Sequence, residues 1–218
     1  MYRYILFDLD GTLTDSKEGI LKSLRFTFEK LGRPMPSEET LIQFIGPPLQ
    51  ASFMEFTGMT AEEALEAIEV FSSRYVPIGK FENKPAPGLA QICMELKNAG
   101  RVLALASSKP EPLCVSICDR FGFSPALTCI AGSQPGGDST KANVIRDCLA
   151  RLNVPQEAYH QILMVGDRKF DVLGAKEVGL DCVGVEFFGY ALPGELAEAG
   201  AVAVVQTPEE LKDFILAH

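Results

Sequence analysis

Two acids two residues apart, Asp8 and Asp10, close an apolar run in the stretch Asp8-Leu9-Asp10-Gly11-Thr12. Carboxylates that close repel each other, and burial raises the pKa of one of them unless a cation holds the pair. Asp167, in Gly166-Asp167-Arg168-Lys169-Phe170-Asp171, ends a second apolar run and would add to the crowding, with Asp171 following in the same segment. Hard oxygen donors with no His or Cys among them suit Mg²⁺, which takes one or two carboxylates and keeps several waters for other oxygens. Two more clusters offer hydroxyls and cations: Ser107-Ser108-Lys109 after a third apolar run, and Ser139-Thr140-Lys141 leading into a helical stretch. A lysine near a helix start is disfavoured by the macrodipole, so Lys141 calls for an anion or a carboxylate cluster to compensate it.

What must position these residues is an alternation of short apolar runs with amphipathic segments. The strand candidates are Tyr4–Leu9, Val102–Ala106, Leu127–Ala131, Ile162–Val165, Cys182–Glu186 and Val202–Val205. Helical spacing fills 88–99, 110–121, 142–152, 171–178 and 208–217 between and after them. Continuous apolar strands alternating with helices predict a doubly wound α/β fold, a Rossmann-like parallel sheet covered on both faces. In such sheets ligands bind beyond the carboxyl ends of the strands, where all four clusters fall.

One interval breaks the alternation. Residues 15–84 carry only helix signals: a capping box at Asp15-Ser16-Lys17-Glu18, apolar spacing through Leu31, and a second box at Thr60-Ala61-Glu62-Glu63 opening a helix to about Tyr75. A strand-to-helix connection is commonly two to six residues, so this insert must be a small all-helical domain of its own. Lys84-Pro85-Ala86-Pro87-Gly88 reads as the stiff return. The predicted organisation is therefore 1–14 with 85–218 as an α/β core and 15–84 as a helical cap, expected to act as a lid.

Composition narrows the function classes. Apolar residues at 47% predict a buried core, and a net charge of −9 argues against nucleic acid and anionic membrane lipid as main partners. An acidic protein can still bind a phosphate ester where a metal ion and a few cations are concentrated in one cleft. The six cysteines include no C-x-x-C pair and there are only two histidines, which reads as reduced core thiols rather than a zinc site. The sequence opens on a strand-like run, and no apolar segment reaches the ~20 residues of a membrane span, so a cytoplasmic location is expected.

In this order, the four motifs resemble those of the haloacid dehalogenase superfamily, and Phe44-Ile45-Gly46-Pro47-Pro48-Leu49 and Ser107-Ser108-Lys109-Pro110 are similar to its phosphoglycolate-phosphatase and 5′-nucleotidase branch. The resemblance implies a helical cap and a phosphatase. Asp8 would attack phosphorus to form an aspartyl-phosphate, and Asp10 would protonate the leaving oxygen and later deprotonate the attacking water. Mg²⁺ would be held by the Asp8 side chain, the Asp10 carbonyl and Asp167, with Asp171 bound directly or through water. Ser107, Lys141 and backbone N–H groups around Ser108 would hold the phosphoryl group. The implied partner is a small phosphate ester, with phosphoglycolate, a nucleoside 5′-monophosphate and a sugar phosphate open in that order, and the chain a monomer or homodimer.

Blander readings compete. Asp171 could only cap the following helix, Ser107 and Ser108 could only end a strand, and Lys141 could be a solvated helix-end lysine. Arg168 and Lys169 read better as a solvated face than as contacts to an anionic substrate. Among active alternatives, dehalogenases expel halide and lack the acid at Asp10, and a sugar-phosphate mutase needs cap cations that Ile45-Gly46-Pro47-Pro48-Leu49 does not carry. Receiver domains use a similar acid cluster and Mg²⁺, but their phosphorylated Asp follows the third strand and they have no cap. An inactive scaffold is the other non-enzymatic reading, and release of phosphate from an ester separates it from the enzyme.

Overall fold

A computed structural model describes residues 1–134 and 140–218. They divide into two compact units, Met1–Thr14 with Pro85–His218, and Asp15–Lys84.

In the first unit six strands form one sheet: β1 (Tyr4–Phe7), β4 (Val102–Pro110), β5 (Leu127–Ser133), β6 (Ile162–Gly166), β7 (Asp181–Val185) and β8 (Ala203–Val205). Their order is β5-β4-β1-β6-β7-β8, and every pairing is parallel. The chain thus winds outward from β1 in both directions, and its switch point lies at β1, where Asp8 follows the last paired residue. Strand alternation sends side chains to two separate cores. Ile5 and Phe7 pack with Leu103, Leu105, Leu163 and Val165 against α5 (Leu89–Asn98), α6 (Glu111–Phe121) and α10 (Pro208–Ala217). Leu6 packs with Ala104, Ala106 and Met164 against α7 (Lys141–Arg151), α8 (Lys169–Val178) and α9 (Glu195–Ala199). Both faces of the sheet are buried, as the continuous apolar strands require. The doubly wound parallel α/β architecture expected from the sequence is what the chain adopts.

The second unit holds α1 (Lys17–Lys30), α2 (Glu38–Ile42), α3 (Leu49–Thr57) and α4 (Ala61–Tyr75), followed by a 3₁₀ turn at Gly79–Phe81. The capping box at Thr60 and Glu63 forms, with both reciprocal hydrogen bonds present. The box expected at Asp15–Glu18 does not: Ser16 is the N-cap without a side-chain bond, and Asp15 instead accepts from the Lys17 N–H at 3.2 Å. An acid one position too early makes a local turn rather than the reciprocal pair. Phe28, Phe44 and Phe53 supply the centre of this unit, with ring centroids 6.1 and 5.1 Å apart along the chain of contacts. Gly19 is required here, since a Cβ on it would lie 1.9 Å from the Gly79 carbonyl oxygen. Two-residue strands β2 (Thr14–Asp15) and β3 (Lys84–Pro85), which the helical pattern concealed, pair with each other where the chain crosses between units.

Candidate active site

The loop after β1 is wound tightly by its own backbone. Thr12 and Thr14 N–H groups donate to the Leu9 carbonyl at 3.3 and 3.0 Å, and the Gly11 N–H donates to the Thr14 carbonyl at 2.8 Å. Gly11 has φ +87°, and a Cβ there would lie 2.0 Å from Asp167 Oδ2. A side chain at this position would be strained and would also displace that carboxylate.

Asp8, Asp167 and Asp171 come together, all buried, with one carboxylate oxygen from each within 4.8 Å of the others. Lys141, the first residue of α7, reaches into the group. Its Nζ donates to Asp8 Oδ1 at 2.7 Å and to the Ala106 carbonyl at 3.1 Å, and lies 2.8 Å from Asp171 Oδ1. The compensation that a lysine at a helix start demands is thus two buried carboxylates. Three acids against one ammonium leave the cluster in excess negative charge. Burial, then the charges of Asp171 and Asp8, push the Asp167 carboxyl well above its ordinary range. Asp171 is pushed up to about 6, mainly by burial, with Lys141 opposing. Burial alone would depress the Lys141 ammonium, but Asp171 and Asp8 outweigh it and raise it.

Thr12 Oγ1 donates to Asp167 Oδ1 at 3.2 Å, whereas Asp167 Oδ2 is buried with no hydrogen-bond partner among the described residues. Orphaned buried oxygens are costly and mark a site for an ion or an unseen donor. A hard divalent cation fits both the donor chemistry and the surplus charge.

Asp10 stands apart from this group. Its side chain turns to Lys109, whose Nζ donates to Asp10 Oδ2 at 2.5 Å, and both side chains are largely buried. Lys109 was visible in the sequence beside Ser107 and Ser108 but carried no role there, because β4 had been expected to end at Ala106 rather than run on through Pro110. Ser107 is buried one residue after the carbonyl that Lys141 holds, and Ser108 is half-buried. Ser139 lies outside the described residues; Thr140 is the N-cap of α7 and accepts from the Asn143 N–H.

Asp171 fills its bland role together with the site contact. It accepts from the Arg168 N–H at 3.1 Å across the first turn of α8 while facing Lys141. The reading of Arg168 as solvated is wrong. Arg168 is fully enclosed and its Nε donates to Glu195 at 2.9 Å, whereas Lys169 is exposed. Glu195 was missed because it lies on a five-residue helix with no usable periodicity, 27 residues from its partner.

In a parallel α/β sheet the carboxyl end of the switch-point strand is where ligands bind, and here that end carries an acid–lysine cluster. The model of the haloacid dehalogenase-like hydrolases matches residues 5–185, and the chain belongs to that family. It is 38% identical over 196 residues to a 5′-nucleotidase of Pseudomonas aeruginosa, covering 89% of this chain and 87% of the relative. It is 34% identical over 214 residues to the tyrosine-protein kinase PtkA of Mycobacterium tuberculosis, covering 97% of this chain and 72% of the relative. A crystal structure of a predicted phosphatase from Clostridium acetobutylicum superposes with TM-score 0.93 at 38% identity, over 100% of both chains. No described helix is long and apolar enough to cross a membrane.

Proposed function

We propose that the protein is a Mg²⁺-dependent phosphatase of small phosphomonoesters that works through an aspartyl-phosphate on Asp8. The observation that carries this reading is the buried Asp8 carboxylate, held by Lys141 beside an acidic pair with an orphaned oxygen. A carboxylate so enclosed is fixed in direction and poorly solvated, which suits a nucleophile.

The residues divide the work as follows. An Asp8 oxygen bonds to phosphorus as the bond from phosphorus to the leaving oxygen breaks, and Asp10 delivers a proton to that oxygen. Asp10 then takes a proton from water as it attacks phosphorus, which breaks the acyl-phosphate bond and frees inorganic phosphate and Asp8. Lys141 and Ser107, with N–H groups near Ser108, hold the phosphoryl oxygens. Lys109 keeps the Asp10 carboxyl directed during the reaction. Asp8, Asp167 and the Asp10 carbonyl would hold Mg²⁺, with Asp171 bound directly or through water. Bound there, the ion shields the repulsion between carboxylate and phosphate dianion. Residues 15–84 form the cap that sets substrate choice. The 38% identity to a 5′-nucleotidase moves nucleoside 5′-monophosphates ahead of phosphoglycolate and sugar phosphates.

The test is kcat/KM for a panel of these esters with and without Mg²⁺. Phosphate release that needs Mg²⁺ and favours nucleoside monophosphates supports the reading, and no release from any ester contradicts it. The PtkA relative favours a second reading, phosphoryl transfer to tyrosine, which ATP carrying label on its terminal phosphate distinguishes by labelled tyrosine instead of labelled inorganic phosphate.

A further inference from the structure

Strands β4 and β5 fall out of step where β4 reaches the site. Ala106 pairs with Ala131 and Pro110 with Ser133, so Ser107, Ser108 and Lys109 together stand opposite the single residue Gly132. A bulge of this kind bends its strand and re-aims the side chains on it. This one ends on Lys109, whose Nζ donates to Asp10 Oδ2 at 2.5 Å. The other Asp10 oxygen, Oδ1, is buried with no hydrogen-bond partner among the described residues. The carboxyl is thus fixed through one oxygen and open at the other, as delivery of a proton to a leaving group needs.

The bulge closes over a residue that has no side chain. Gly132 is buried, and a Cβ on it would lie 2.4 Å from Glu111 Cα, 2.6 Å from Glu111 N and 2.7 Å from the Lys109 carbonyl oxygen. These are backbone atoms, so no change of rotamer relieves the overlap. Ordinary contact would require the two segments to part by about 1 Å. None of these nearest atoms belongs to Ser107 or Ser108, so the parting falls on the arm that carries Lys109. Two further bonds secure that arm: Cys114 Sγ donates to the Lys109 carbonyl at 3.4 Å, and the Gly132 N–H donates to Glu111 Oε2 at 3.2 Å.

We propose that Gly132 is a positioning residue: its lack of a side chain lets the bulge of β4 fold down on β5, which seats the Lys109 ammonium against Asp10. This rests on the reading of Asp10 as the proton donor to the leaving oxygen. A glycine that served packing alone would affect every ester alike. One that acts through Lys109 and Asp10 matters most where the leaving oxygen must be protonated. The two roles therefore separate when esters with different leaving groups are compared.

The experiment measures kcat/KM with MgCl₂, which reads the step in which the leaving oxygen departs, and circular dichroism establishes folding. One substrate is an alkyl ester, the fastest of adenosine 5′-monophosphate, phosphoglycolate and glucose 6-phosphate. The other is 4-nitrophenyl phosphate, whose phenolate leaves without a proton. Gly132→Ala lowers kcat/KM on the alkyl ester about 100-fold, the cost of a ~1 Å misplacement, and on the nitrophenyl ester by less than about fivefold. Lys109→Met shows the same split, since general acid catalysis contributes about 10²- to 10⁴-fold. The double variant is no more than about threefold slower than Lys109→Met, because the two changes disable one unit. Equal losses on both esters, or losses that multiply in the double variant, overturn the inference. Should Gly132→Ala not fold, Pro110→Gly loosens the far end of the bulge at an exposed position. A loss about threefold or more greater on the alkyl ester than on the nitrophenyl ester then supports the role, and an equal loss or none refutes it. A wild type that hydrolyses none of the alkyl esters removes the small-ester reading and this inference with it, whereas wild-type turnover with equal losses removes only the inference.

Discussion

Both units carry solvent-exposed ion pairs, but among the described residues only the α/β unit also encloses some almost completely. In the helical unit Arg33 pairs with Glu63, their side chains 36% and 41% exposed, and Lys22–Glu18 and Arg25–Glu38 are as open to solvent. In the α/β unit Lys141–Asp8, Lys109–Asp10 and Arg168–Glu195 are all buried, the first pair only 6% and 4% exposed. Exposed pairs contribute about 0–1 kcal/mol, and buried ones often fail to repay their desolvation. Stability alone explains the first set and not the second. Three buried pairs at one end of one sheet carry a cost that stability does not explain and that the proposed chemistry would require.

The comparison is broken most severely at Asp8. Asp8→Asn keeps the side-chain shape but removes the proposed nucleophile, and kcat should fall by about 10⁴-fold or more while the far-ultraviolet spectrum and folding cooperativity persist. Residual activity within tenfold of wild type would place the chemistry elsewhere.

Lys141→Met is expected to affect both activity and stability. It leaves Asp8 and Asp171 facing each other without the ammonium, and removing one partner of a buried pair costs about 3–5 kcal/mol. Urea denaturation of the metal-free variant reads this loss, and kcat/KM should drop about 10²- to 10³-fold, as for other lost donors to a developing charge.

Asp167→Asn should run the other way in stability. Burial, then Asp171 and Asp8, raise the Asp167 pKa above its ordinary 3.8. A carboxyl raised in this way stabilises the fold fully only below its unfolded value, and that contribution is lost as pH rises through the native value. In metal-free protein at pH 7.5 the asparagine variant should therefore melt several degrees above wild type. The gain should shrink toward zero as pH approaches 4. Added Mg²⁺, which raises the wild-type Tm by mass action, should leave the variant unmoved. A variant that melts lower at neutral pH would mean that Asp167 is stabilising rather than strained.

Arg33→Ala sharpens the contrast from the other side. Its pair with Glu63 is solvated, so the unfolding free energy should change by less than about 1 kcal/mol and kcat by less than twofold.

Much of this was legible in the sequence, for reasons that differ by element. The core strands announce themselves as apolar runs because both faces of the sheet are covered, and the acids at their ends stand out against them. Asp8, Lys141, Asp167 and Asp171 were identified, and the fold gathers their side chains. Long-range pairing was not legible. Arg168 beside Lys169 looks like a charged surface, and only the return of the chain at Glu195 shows which of the two is enclosed. Lys109 on Asp10 depended on β4 running on from Ala106 through Pro110, an element boundary that local pattern does not fix. The false capping box at Asp15 failed by one position, a geometric difference that composition does not record.

The central claim is that the Asp8 carboxylate accepts phosphorus beside a bound divalent cation. Crystals grown with MgCl₂ and beryllofluoride, which mimics an acyl-phosphate, test it directly. Density for beryllium trifluoride on Asp8 Oδ, with Mg²⁺ against Asp167, is the predicted result. Beryllium on another side chain, or an unmodified Asp8 in a Mg²⁺-loaded protein, would contradict it.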